Sequence, residues 1–169
     1  MRCKIVGLMA AVLLIAGCAT EPETTQPGAG AAGAGAGAGT AGMPAPGSVE
    51  EFVQEVGDRV FFDFDRHDLT PEARQTLDRQ AAWLEEYPST RVQIEGHADE
   101  RGTRSYNLAL GERRATAVRN YLVALGVAPT RIQTISYGKE RPAVVGSGEY
   151  AWSQNRRGVT VITDGAPMG

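Results

Sequence analysis

The sequence predicts a two-layer α/β (α+β) sandwich, a mixed sheet covered on one face by helices, in the order β-α-β-α-β-β. Three observations predict it. Short segments alternate strictly between apolar and polar residues, as half-buried strands do. Two longer segments repeat apolar residues at helical spacing. The third is compositional: of the 169 residues, positions 28–42 hold seven Gly, seven Ala and one Thr. A stretch without branched or aromatic side chains buries too little apolar surface to offset the ordering of its backbone. The fold therefore lies from roughly Ser48 onward, about 120 residues, one ordinary domain and too few for a many-domain enzyme. With 17 basic and 20 acidic residues the net charge is −3, which gives no general attraction to nucleic acid.

A short helix at 49–56 precedes the first strand. Over 58–64, Val60, Phe62 and Phe64 fall on one face of that strand and Arg59, Phe61 and Asp63 on the other. Thr70-Pro71-Glu72 then supplies an N-cap, a first-turn proline and an acid at the positive helix end. Ala73, Leu77, Ala81 and Leu84 recur at helical spacing until Pro88 stops the helix. Val92 and Ile94 face the core from a strand at 91–96, with Gln93 and Glu95 facing out. The next helix runs from about Ser105 to Leu125 and is closed by Gly126. Strands at about 131–137 and 157–163 complete the chain.

The first residues have a different character. Arg2 and Lys4 precede an uncharged apolar run from Ile5 to Gly17, 13 residues long. That is shorter than the ~20 needed to cross a hydrocarbon core and suits a secretory signal peptide over 1–17. The run ends Leu14-Ile15-Ala16-Gly17-Cys18, which resembles the bacterial lipobox, whose cysteine is acylated and becomes the mature N-terminus. On that resemblance Cys3 is expected to leave with the signal peptide and Cys18, then the sole cysteine, to be consumed by lipid, with no thiol left to oxidise. By resemblance to the sorting rule of enteric bacteria, Ala19 in place of an aspartate implies the outer membrane. Residues 19–48 are expected to form a disordered Ala/Gly-rich tether, and 49–169 the folded domain. A flexible tether of that length has a root-mean-square span of about 30 Å.

Two motifs in the chain are decoys. Gly28, Gly30 and Gly33 spell G-x-G-x-x-G, but no apolar strand precedes them and no helix start follows. Asp63-x-Asp65-x-His67 hints at a calcium loop, yet Asp68 stands where Gly is needed and Arg74 where Glu is needed. No H-E-x-x-H, C-x-x-C or G-x-S-x-G occurs, so neither a metal, a cofactor nor a nucleophilic enzyme is expected.

The most informative polar residue is Arg114. Leu110, Ala117, Val118, Tyr121, Leu122 and Leu125 form one stripe on the second helix, and Arg114 lies within about 10° of its mean direction. A guanidinium facing the core needs an anion, because an unpaired buried charge costs several kcal/mol. Asp99 and Glu100 in the loop after the second strand are candidates, as are Asp63 and Asp65 at the end of the first. Two readings follow. Arg114 pairs internally with one of these acids, in a lipoprotein that docks only to protein partners. Alternatively, one carboxylate and one guanidinium together grip a zwitterionic amino-acid end group.

Four stretches carry a family resemblance: VFFDFDRHDLT at 60–70, IEGHADERGTRSYNLALGERRA at 94–115, SYGKERPAV at 136–144 and SQNRRGVTV at 153–161. In order and spacing they resemble the OmpA-like C-terminal domain family, across about 58–163. HADERGT, and not the HTDNTG-like form of porin-linked relatives, favours its lipoprotein branch. The resemblance implies an OmpA-like sandwich that binds peptidoglycan noncovalently through meso-diaminopimelate of the stem peptide. It implies that Asp99 takes the ammonium and Arg114 the carboxylate. It also places Phe64, Asp65, Gly102, Thr103 and Asn107 around the ligand. It further implies the Tol system of envelope integrity and cell division, with the periplasmic protein TolB competing for the same surface. The implied location is the outer membrane, lipid-anchored at Cys18, with the domain facing the periplasm. Gly158 departs from the family pattern, which carries a larger apolar residue there, so the last strand is expected to start late or bulge. Arg156 and Arg157 are expected to be strand-end ion-pair residues, not ligand contacts.

Overall fold

A computed structural model describes residues 43–166; the spans read as signal peptide, lipidated Cys18 and most of the tether lie outside the described residues. The described chain starts against the domain. Ser48 is buried and caps helix α1 (Val49–Glu51), its hydroxyl accepting the Glu51 N–H, and α1 runs on as a π-helical turn over Phe52–Gly57. The remaining elements are β1 (Arg59–Phe61), α2 (Pro71–Glu86), β2 (Arg91–His97), α3 (Arg104–Ala124), a 3-10 turn (Pro129–Arg131), β3 (Ile132–Gly138), α4 (Glu149–Asn155) and β4 (Arg157–Asp164). The sheet order is β1-β4-β2-β3. β2 and β3 are parallel and joined through α3, while β4 runs antiparallel to both β1 and β2. This is the expected mixed sheet.

The core forms between the sheet and the helices α2 and α3. Val60, Val92, Ile94 and Ile132 from the strands meet Leu77 and Leu84 of α2 and Val118 and Leu122 of α3, all buried. Gln93 and Glu95 stay half-exposed on the opposite face, so the alternation in β2 reports its two faces correctly. The start of α2 also follows its signal: the Thr70 hydroxyl accepts the Ala73 N–H and Pro71 is the first helical residue. Phe52 packs on Trp83 with ring centroids 4.9 Å apart, which closes the core under the N-terminal helix.

Three expectations are corrected. The strand expected over 58–64 pairs only over Arg59–Phe61, because the backbone turns at Asp63–Arg66, where Arg66 N–H reaches Asp63 O and Asp65 takes φ 56°. Phe62 still points inward, whereas Phe64 swings out and is 59% exposed. Helix α4 was not foreseen. It is seven residues long, begins at Gly148 without a side-chain cap and buries only Ala151 and Asn155, too little for a periodic signal. Gly158 causes no late start, and β4 opens at Arg157 with Gly158 in register against both Val60 and Gly96. A Cβ there would lie 3.3 Å from a Val118 methyl and 3.5 Å from Phe62, so the glycine makes room for α3 to settle on the sheet.

The closest approach of helix to sheet is at Gly96 and Gly111. A Cβ on Gly96 would lie 1.8 Å from the Gly111 carbonyl oxygen, and one on Gly111 would lie 2.8 Å from the Gly96 oxygen and 2.3 Å from Ser136 Oγ. Backbone meets backbone here, and the one side-chain atom in the way is Ser136 Oγ, itself hydrogen-bonded to Leu108 O. That proximity aims the next turn of α3, including Arg114, at the end of β2. Gly96→Ala and Gly111→Ala are each expected to cost about 3 kcal/mol, the upper end of overpacking penalties. Urea unfolding followed by tryptophan fluorescence checks this, and a midpoint within error of the parent would contradict the packing argument.

Candidate functional site

Arg114 is fully buried, as its place on the apolar stripe requires. The stripe itself is rotated slightly, with Asn107, Gly111 and Ala115 buried on it while Leu125 is exposed. The partners of Arg114 are backbone carbonyls, not a carboxylate. Nε donates to Arg66 O at 2.8 Å, Nη1 to His97 O at 2.7 Å and Nη2 to Asp63 O at 3.1 Å. Burial pushes its pKa down to about 10, with the nearby Asp99 and Asp65 charges opposing the shift, so it stays protonated at neutral pH. A guanidinium carries five N–H donors. Three hold the fold, and two remain to be met.

Asp99, also buried, pairs elsewhere. Arg101 forks onto it, Nη2 to Oδ2 at 2.6 Å and Nε to Oδ1 at 3.2 Å, and the Arg101 backbone N–H reaches Oδ1 at 3.1 Å. Arg156 Nη1 approaches Oδ2 at 3.5 Å from the other side. Burial acts to raise the Asp99 carboxyl, but the hydrogen bonds from Arg101, and then Arg156, outweigh it and hold the group below the usual carboxylate range. The internal Asp99–Arg114 ion pair, one of the two sequence readings, is therefore not formed. Arg156 is an ion-pair residue as expected, on Asp99 and Glu149, while Arg157 donates to the Arg141 carbonyl.

The loop that carries Asp99 is tied down by its own carbonyls. Lys139 Nζ donates to Glu100 O at 3.1 Å and Gly102 O at 2.7 Å, and Asn107 Nδ2 donates to Arg101 O at 2.7 Å. Gly102 takes φ +86°, a conformation that favours glycine. Across the site, the Asp65 carboxylate accepts the Tyr106 hydroxyl, which ties the β1–α2 loop to α3.

Between these two loops lies a cavity of about 180 Å3. Six of the seven predicted binding residues line it: Phe64, Asp65, Asp99, Gly102, Asn107 and Arg114. Thr103 does not; it caps α3, its hydroxyl accepting the Tyr106 N–H at 3.2 Å. Arg101, Tyr106 and Leu110 complete the wall. Sequence reasoning missed Arg101 and Tyr106. The available signal was their position, two residues after Asp99 and three after the Thr103 cap. Glu100, one of the candidate partners of Arg114, instead accepts Ser147 Oγ at 2.6 Å and Trp152 Nε1 at 3.0 Å. Among the described residues no cluster of three or more His, Cys, Asp or Glu is placed to hold a metal ion.

Next to the site, His97 is 1% exposed beneath Tyr137, with Nε2 3.3 Å from Glu95 Oε2 and Nδ1 without a partner. Burial, then the charges of Arg157 and Arg141, lower its pKa from 6.5 to about 4.

The sequence model of the OmpA family matches residues 61–156 of this chain. A protein named peptidoglycan-associated lipoprotein from Rhizobium meliloti (strain 1021) is 53% identical over 150 residues, covering 89% of this chain and 82% of that one. The crystal structure of the peptidoglycan-associated lipoprotein from Burkholderia pseudomallei superposes with a TM-score of 0.63 at 39% identity, covering 66% of this chain and 96% of that one. The C-terminal domain of Helicobacter pylori MotB shares the fold at 21% identity with a TM-score of 0.60, covering 64% and 87%.

Arg114→Ala is expected to unlatch three carbonyls and to cost about 2–4 kcal/mol of stability, measured by urea unfolding. The three carbonyl bonds make the fold near the site depend on this residue. For His97, the folded ring resists protonation down to about pH 4, whereas the unfolded chain takes the proton near 6.5. The unfolded state binds more protons in that window, so this contribution is whole above pH 6.5 and falls as pH drops toward 4. Urea midpoints across pH 4–7 should fall accordingly, and the slope should flatten in His97→Gln.

Proposed function

The chain belongs to the OmpA family, and within it to the peptidoglycan-associated lipoproteins, and on that footing we propose that its pocket anchors the domain to peptidoglycan. The ligand group is the distal amino-acid end of meso-diaminopimelate in the stem peptide. Its ammonium goes to Asp99 and its carboxylate to the two free N–H groups of Arg114. Phe64, Asp65, Gly102 and Asn107 enclose it, and Thr103 acts by fixing the N-terminus of α3. One observation carries this reading: a single small cavity is lined by a buried carboxylate and by a buried guanidinium with donors to spare. At about 180 Å3 it is smaller than the roughly 300–1,000 Å3 of sites for drug-sized molecules, and it suits the tip of a side chain.

The module binds and does not catalyse. Cys18, acylated after removal of residues 1–17, anchors the chain in the outer membrane, since several acyl chains at ~0.8 kcal/mol per buried methylene hold permanently. The tether over residues 19–48 lets the periplasmic domain, 49–169, reach the wall. In this way the protein links outer membrane to cell wall as part of the Tol-Pal system in envelope integrity and cell division, with TolB and other Tol proteins as partners.

The test is calorimetric titration of the full chain with a stem peptide containing meso-diaminopimelate, then with its L-lysine counterpart and with the form amidated at the distal carboxylate. The first should bind saturably. The other two lack the carboxylate that Arg114 needs and should fail, and Asp99→Ala should abolish binding with the fold retained. Equal binding of all three peptides would remove the assignment.

A further inference from the structure

Arg101 occupies the group that the ligand's ammonium needs. Its guanidinium is forked onto Asp99 and at the same time lies between two aromatic rings, 4.1 Å from the centroids of both Phe64 and Trp152. Its side chain is 32% exposed at the cavity mouth, whereas Asp99 and Arg156 are buried. Arg156 is held independently by Phe62 O at 3.0 Å and by Glu149, so its place 3.5 Å from Asp99 does not rest on Asp99 alone. Arg101 is the exchangeable partner of the two.

The charges lining the cavity balance in the free protein, Asp65 and Asp99 against Arg101 and Arg114. A zwitterion entering between Asp99 and Arg114 displaces the Arg101 fork and leaves that guanidinium without an anion. The carboxylates around it are already engaged, Glu149 by Arg156. Glu100 is engaged by Ser147 and Trp152, and Asp65 accepts the Tyr106 hydroxyl. The aromatic sandwich still holds the cation in place, and the Trp152 ring is itself fixed by its bond to Glu100. A guanidinium held flat at a pocket mouth presents its donor fork to a planar carboxylate.

We propose that Arg101 is a specificity-determining residue, which yields Asp99 to the ligand's ammonium and takes a second carboxylate of the same ligand in exchange. The preferred ligand class is thus one ammonium with two carboxylates, and not a simple zwitterion. This rests on the zwitterion reading above. In a stem peptide the second carboxylate is the α-carboxylate of the γ-linked D-glutamate beside the diaminopimelate.

The test is calorimetry on the full chain and on Arg101→Gln. Two probes are used: L-alanyl-γ-D-glutamyl-meso-diaminopimelate with the carboxylate at the L-centre of diaminopimelate amidated, and the same tripeptide with the D-glutamate α-carboxylate amidated as well. The parent is expected to prefer the first by about tenfold, the size of one charge-assisted contact of about 1.4 kcal/mol. In Arg101→Gln the preference should collapse to near unity. The doubly amidated probe should bind this variant at least as tightly as the parent, since the Arg101 guanidinium no longer competes for Asp99. Arg101→Lys, which keeps charge without the fork, should show a reduced preference. An undiminished preference in Arg101→Gln, or no preference in the parent, would overturn the proposal while leaving the wall-binding reading intact. Failure of both probes to bind the parent would remove both.

Discussion

The guanidinium of Arg114, sunk without a carboxylate against three backbone carbonyls, is the interaction on which both the fold near the site and the site itself depend. It joins α3 to the end of β2 through His97 O and to the β1–α2 loop through Asp63 O and Arg66 O. Burying a charge costs several kcal/mol, and charge-assisted hydrogen bonds to fixed dipoles offset that cost. The arrangement requires α3 to lie almost on the sheet backbone. Gly96 and Gly111 permit this by omitting the two side chains that would separate them.

One residue therefore serves two ends. The donors that Arg114 spends on carbonyls hold the strand end and the loop beside the cavity, and in the proposed complex the two it keeps meet the ligand's carboxylate. Asp99 is built differently. It sits in a loop whose carbonyls are bound by Lys139 and Asn107, and its charge is shared with Arg101 and Arg156. These bonds fix the loop by its backbone, so a ligand of the proposed kind would meet a carboxylate already in place. The opposite wall holds Asp65 at φ 56°, a conformation uncommon for a non-glycine residue, tied by its carboxylate to Tyr106. Such a position is costly unless its surroundings enforce it, and enforced strain of this kind clusters at binding sites.

The two ends of α3 divide the work. Its N-terminal half carries Tyr106, Asn107, Leu110 and Arg114 into the cavity wall, while Ala115, Val118 and Leu122 belong to the core. Polar and apolar residues occupy one continuous stripe, so a shift of the helix that disturbs the core also misaligns the site.

Much of this was legible in the amino-acid sequence because side-chain facing is a local property. The alternation around Val92 and Ile94, the Thr70-Pro71 cap and the closure of α3 near Gly126 each depend on neighbours a few residues away. The same arithmetic put Arg114 on a buried face, and a family resemblance named six of the residues that line the cavity. What local pattern does not carry is which groups meet. That Arg114 takes carbonyls and not Asp99, and that Phe64 leaves the strand to stack on Arg101, are contacts between segments far apart in the chain, and the local Arg101–Asp99 fork depends on how the packed elements hold its loop. Helix α4, with two buried residues and no capping side chain, likewise exists through its contacts with the rest of the molecule. The sequence by itself determined most of the elements, their faces and the charge that needed a partner. Only the tertiary structure decided the partners, because hydrogen-bond geometry is settled by which loops the packed sheet and helices bring together.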